Sequence, residues 1–82
     1  MLSNKTTTVV AQITHVWIKY KKGWRCVEYK YNVRGKEYKR SETITREEYD
    51  YLNVGDCIEI KVSLVDNEVT RWNREKGKFK CP

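Results

Sequence analysis

One histidine, three cysteines and a short acidic run are the residues of this chain whose types could carry catalysis or hold a metal. His15 lies between Thr14 and Val16 in an alternating stretch. No Ser or Cys stands at a spacing that suggests a nucleophile–base pair, and no acid is placed to orient the ring. Cys26, Cys57 and Cys81 contain no Cys-x-x-Cys pair, so even with His15 they lack the ligand spacing of a zinc site. Glu47, Glu48 and Asp50 have the type for acid–base work, but a helix cap explains them more simply. The glycines Gly23, Gly35, Gly55 and Gly77 are isolated, so there is no phosphate-cradling loop. The expectation is therefore no enzyme, no metal and no cofactor.

The odd cysteine count points to free thiols. A disulfide is the alternative: it needs an oxidising compartment and leaves one thiol over. A Cys81 bridge that pins the C-terminal segment is its most economical form. Cys26 is in phase with Glu28 and Cys57 with Glu59, both opposite the aliphatic sets of their strands.

Binding chemistry is better represented. Lys19-Tyr20-Lys21-Lys22-Gly23-Trp24-Arg25 sets two aromatics among four cations, and Arg71-Trp72-Asn73-Arg74 repeats the theme. Cations neutralise phosphates or carboxylates, and aromatic faces stack on bases. The candidate polyanion or partner site is Lys19, Lys21, Lys22, Trp24, Arg25, Lys30, Lys39, Arg40, Arg71 and Trp72. The plainer alternative is that Tyr20, Trp24 and Trp72 form the core and the cations merely flank it. Charge is polarised along the chain. Residues 19–40 hold nine basic and two acidic side chains, residues 41–70 two basic and eight acidic, and residues 71–82 five basic and one acidic. Such asymmetry marks a polyanion-binding face or a β-domain that solvates one side with Lys and Arg.

The elements that must carry these residues are strands. Val27, Tyr29, Tyr31 and Val33 alternate with polar residues and turn at Arg34-Gly35 into the charged strand Lys36–Thr43. Gly35 supplies the positive φ of a tight hairpin. Thr6–Tyr20 reads as a long first strand, rich in Thr, Val, Ile and Trp. Two alternating sets compete in it: Val9, Ala11, Ile13, His15 and Trp17 against Val10, Gln12, Thr14, Val16, Ile18 and Tyr20. The strand is expected to bulge or bend and to change sheet midway. Thr45-x-x-Glu48 matches a capping box, which predicts one helical turn over 46–52. Ile58, Ile60 and Val62 mark a fourth strand, Asp66-Asn67 a turn, and Val69–Trp72 a last short strand. The expected fold is all-β with one short helical turn. Its architecture is a small five-stranded curled antiparallel sheet or open barrel, OB-like or SH3-like.

At 82 residues the chain has room for one domain, burying only about 60–65% of its unfolded surface. The expected organisation is a disordered lead over 1–5, a β-domain over 6–73 and a basic C-terminal tail over 74–82, tied down where Phe79 or Cys81 anchors it. Charged residues make up 34% and hydrophobic ones 39%, a globular balance rather than a disordered one. No apolar run exceeds three residues, as in Val9-Val10-Ala11, far below the ~20 residues that cross a bilayer. Residues 1–5 lack an apolar signal region, which fits a whole cytoplasmic protein or a chain trimmed of an anchor.

The segment Val27-Glu28-Tyr29-Lys30-Tyr31-Asn32-Val33-Arg34-Gly35-Lys36-Glu37-Tyr38, followed by Val54-Gly55-Asp56-Cys57-Ile58-Glu59-Ile60, resembles the bacterial family of domain of unknown function 3592. The pattern there is V-x-Y-x-Y-x-V-x-G-K-x-Y and then V-G-D-x-V-x-V. The resemblance spans about residues 9–72 and rests on folding elements. It implies a small β-domain, attached to membrane helices and extracytoplasmic, with no enzymatic role. This chain departs from the pattern in having no membrane helix. It also has Ser63-Leu64-Val65-Asp66-Asn67-Glu68 where the family has D-P-x-x-P, which leaves the register of the last strand open. The function expected is a non-enzymatic interaction module of a bacterial envelope-associated protein, its partner a protein or the anionic envelope surface. The alternative is an OB-like or SH3-like nucleic-acid binder.

Overall fold

The hairpin at Arg34-Gly35 organises the sheet. The computed structural model describes residues 5–19 and 23–82. Strand β2 (Trp24–Val33) turns through two residues into β3 (Lys36–Ile44). Both turn residues have positive φ, 54° at Arg34 and 82° at Gly35. That is a type I′ turn, whose twist matches the strands it joins. Strand β1 (Thr6–Lys19) precedes the hairpin. Helix α1 (Arg46–Tyr51), β4 (Cys57–Ser63), β5 (Thr70–Trp72) and β6 (Lys78–Phe79) follow it. The sheet runs β3-β2-β1-β4-β5, all antiparallel, and β6 pairs with the start of β4. β1 is shared between β4 and β2, and α1 joins β3 to β4, which is an OB-like connectivity left open between β3 and β5.

The competing alternations of β1 are resolved by a bulge between Ile13 and His15. Before it, Val9 and Ala11 face β4's Ile60 and Ile58, and Ile13 faces Tyr29. The extra residue, Thr14, shifts the phase, so that Val16 and not His15 packs on the core opposite Val27. Thr14 Oγ1 secures the bulge by donating to Glu28 Oε1 at 2.8 Å. The strand changes partner at this point, from β4 to β2, while staying within one sheet.

The core is one cluster on the concave side: Ala11, Ile13, Val27, Tyr29, Tyr31, Val33, Ile44, Leu52, Ile58, Ile60, Val62 and Trp72. Side chains stitch the gap between β3 and β5. Thr70 on β5 and Glu42 on β3 meet at the Tyr29 hydroxyl, at 2.6 and 2.8 Å. A phenol has one proton, so Tyr29 donates to Glu42 and accepts from Thr70. Tyr31 donates to the Asn67 carbonyl, and Arg74 reaches Glu48 at 2.7 Å and the Thr43 carbonyl at 3.3 Å. Burial pushes the Tyr29 hydroxyl far above its ordinary range, and Tyr31 shifts the same way for the same reason. The unfolded phenols ionise first, so this stabilisation is intact below about pH 10 and is lost as pH rises beyond it. We expect stability to fall above pH 10 by up to about 1.4 kcal/mol per pH unit for each buried tyrosine. Urea unfolding across that range checks this: Tyr29→Phe flattens the slope, and an unchanged slope contradicts the assignment.

Helix α1 begins with the predicted capping box. Thr45 Oγ1 accepts from the Glu48 N–H, and Glu48 Oε1 accepts from the Thr45 N–H. The C-terminal segment packs on the domain. A 3₁₀ turn over Arg74–Lys76 leads into β6, and both foreseen anchors hold: Phe79 pairs with Cys57, and Cys81 is bonded to Cys57. Lys78 Nζ lies 3.1 Å from Asp56 Oδ2, and this bond holds the Asp56 carboxyl below the usual range. Three free thiols are thus not what the fold contains. β4–β6 pairing brings the Cα atoms of Cys57 and Cys81 to 5.1 Å, and only Cys26, buried, stays reduced. Among the described residues no helix is long and apolar enough to cross a membrane.

Candidate interaction surface

Because strand side chains alternate, each candidate residue falls on the concave or the convex face. Lys30 and Lys39 lie on the convex face and stand directly opposite each other in the β2–β3 ladder. They form a pair without mutual hydrogen bonds, in which side chains are closest. Like charges so placed repel. Neither makes an ion pair with another described residue. Arg40, grouped with them from sequence, projects from the other face: its ladder partner is Tyr29, whose side chain is in the core. Neighbouring residues of a strand cannot share a face, which is the physical reason for that correction.

The remaining candidates do not converge. Lys21 and Lys22, with Tyr20, lie outside the described residues. Lys19 ends β1 opposite Trp24, which is 57% exposed. Arg25 turns to the concave side, donating to the Gly23 carbonyl at 2.9 Å and lying 5.8 Å from the Tyr49 ring centre. Arg71 is exposed on β5 opposite Lys61, at the other end of the sheet order from β3. Trp72 is 4% exposed and belongs to the core. β5 pairs Trp72 with the buried Ile60, so the indole has to point inward, and Arg74 covers it at 5.2 Å. It is therefore no stacking platform.

What the fold does bring together is the open side of the hairpin. β3 is an edge strand, and although Ile44 packs in the core and Glu42 turns in to Tyr29, the cations of both its faces reach solvent. Lys36, Lys39 and Arg40 are exposed along it, Arg34 is exposed at the turn, and Lys30 stands alongside. The exposed acid here is Glu37, while Glu42 is occupied by Tyr29 and lies 4.0 Å from Arg74. Arg34 and Lys36 were absent from the sequence-derived set, as was Lys61. The signal for the first two was the hairpin itself, since a charged strand paired on one side only leaves all its cations accessible. The shallow groove between the turn and the β4–β5 loop adds no anion site, because Asp66 and Glu68 line it together with Arg34 and Lys36.

His15 is exposed on the convex face, its ring 5.2 Å from that of Trp17. Among the described residues no three His, Cys, Asp or Glu side chains are grouped to hold a metal ion. No family model matches the chain, and no curated protein or solved structure is significantly similar to it.

Proposed function

We propose that this small β half-barrel is a non-enzymatic interaction module that works in an oxidising, extracytoplasmic setting and takes an anionic partner along the free side of its hairpin. The observation that carries the reading is the cationic edge of Arg34, Lys36, Lys39 and Arg40, with the repelling Lys30–Lys39 pair beside it. An anion placed there relieves repulsion that the folded chain otherwise bears. The Cys57–Cys81 bridge supports the compartment, since such bonds persist where thiols are not kept reduced. The resemblance to the family of domain of unknown function 3592 points to the same bacterial envelope setting. The test is binding to anionic partners before and after charge reversal at Lys36, Lys39 and Arg40. Loss of binding supports the site, and retention contradicts it.

A second reading, single-stranded nucleic-acid binding, keeps one of its candidate aromatics in its favour among the described residues. Trp24 is exposed beside Lys19, but Trp72 is buried and offers no stacking surface. Titration with an oligonucleotide separates the two. Quenching of tryptophan fluorescence that weakens steeply with salt favours nucleic acid.

A further inference from the structure

We propose that the free edge of β3 accepts an extended acidic protein segment as an added β-strand. The inference rests on the anionic-partner reading and names the class of partner. Its first support is the backbone. Across a two-residue turn, Val33 and Lys36 form a hydrogen-bonded pair, so Lys36, Tyr38, Arg40 and Glu42 bond to β2. The N–H and C=O groups of Glu37, Lys39, Ser41 and Thr43 then point away from the sheet. The Thr43 carbonyl shows the same phase independently, because it accepts from Arg74, which approaches from outside. Among the described residues β3 has no ladder partner besides β2. Glu37, Lys39 and Ser41 thus offer a row of unpaired donors and acceptors, and all three are exposed.

Charge selects the occupant. A strand laid on this edge sets its alternate side chains beside Lys39 on the convex face and beside Lys36 and Arg40 on the other. Carboxylates in either phase meet a cation. A second copy of this chain fits poorly. Symmetric antiparallel pairing must match outward-facing residues with each other, so the two-fold axis falls on Tyr38, Lys39 or Arg40. The Lys39 axis stacks Lys39 on its own copy, the Arg40 axis does the same to Arg40, and the Tyr38 axis sets Lys36 against Arg40, which offsets the Glu37–Lys39 pairs it also makes. Edge lysines of this kind deter self-pairing. The same charges, with three residues of backbone left open, discriminate in favour of an acidic strand. A lipid surface satisfies the cations but not the outward N–H and C=O groups.

The test uses the folded 82-residue chain and a synthetic peptide, as long as β3, that alternates glutamate with valine. The comparison peptide has the same charge, with proline in place of the valines and N-methylated glutamates, so no backbone N–H is left to form a ladder in either phase. Ser41→Pro in the protein removes an outward N–H and leaves the β2 ladder intact. The expected result is binding of the alternating peptide, weakened at least about tenfold by Ser41→Pro and equally by the proline peptide. Should Ser41→Pro fail to fold by circular dichroism, the proline peptide carries the comparison alone. Equal binding of both peptides overturns strand addition and leaves the anionic reading standing. Binding to anionic vesicles without binding to the alternating peptide does the same. Binding to neither overturns both, and a concentration-dependent dimer of the chain alone names the wrong occupant.

Discussion

Opening the Cys57–Cys81 bridge is expected to cost about 3 kcal/mol of stability. The bridge joins residues 24 apart, and loop-closure entropy for a loop of that size gives about 3 kcal/mol. In a domain of this size such a loss lowers Tm by roughly 10–25 °C. The physical reason is local. β6 is two residues long and cannot hold its place on β4 by its own ladder. Without the bridge, the Tyr51 hydroxyl that accepts from the Lys78 N–H and the Asp56–Lys78 pair become exchangeable contacts. Thermal unfolding with and without reductant reads this directly, and coincident curves contradict it. Thiol counting gives the companion result. The native chain shows no fast-reacting thiol, the unreduced unfolded chain one from Cys26, and the reduced unfolded chain three.

Trp72→Ala is expected to be the most damaging single core change, at about 3–5 kcal/mol. The indole fills the space between β5, Ile60 and the Arg74 guanidinium, and three-residue β5 has little else to hold it. Its Nε1 has no acceptor among the described residues although it is buried. An unpaired buried donor itself costs about 1–3 kcal/mol. Trp72→Phe gives up some packing but also removes that orphan donor, so it is expected to cost less than about 1.5 kcal/mol. Urea unfolding separates the two. Similar losses for Ala and Phe would mean that the indole's size is not what holds β5.

Much of the scaffold was legible because its signals are local. The alternation of Val27, Tyr29, Tyr31 and Val33, the turn glycine and the Thr45–Glu48 box each need only a few neighbouring residues. The bulge was legible as a conflict between two apolar sets but not as a position, since the shift at Thr14 is fixed by its bond to Glu28 on another strand. β6 was out of reach, because Lys78-Phe79 carries no periodicity and is placed by pairing and a covalent bond with β4. Trp72 was left between a surface candidate and the core, because the register of a three-residue strand is set by its partner Ile60. The side taken by Arg40 was in the sequence all along. Period two puts it with Tyr38 and against Lys39, and grouping by charge alone hid that.

The most direct measurement is co-sedimentation of the folded chain with vesicles of anionic and of neutral lipid, together with titration of the alternating acidic peptide, at low and high salt. Lys36→Glu/Lys39→Glu/Arg40→Glu is compared with Lys61→Glu/Arg71→Glu, a reversal on the β4–β5 pair of the same sheet. At about 1 kcal/mol per cation, the hairpin reversal should weaken anionic binding by a hundredfold or more. The β4–β5 reversal should cost far less per charge. Equal losses from both variants would mean that net charge, and not the β3 edge, governs binding, which contradicts the site assigned to this protein.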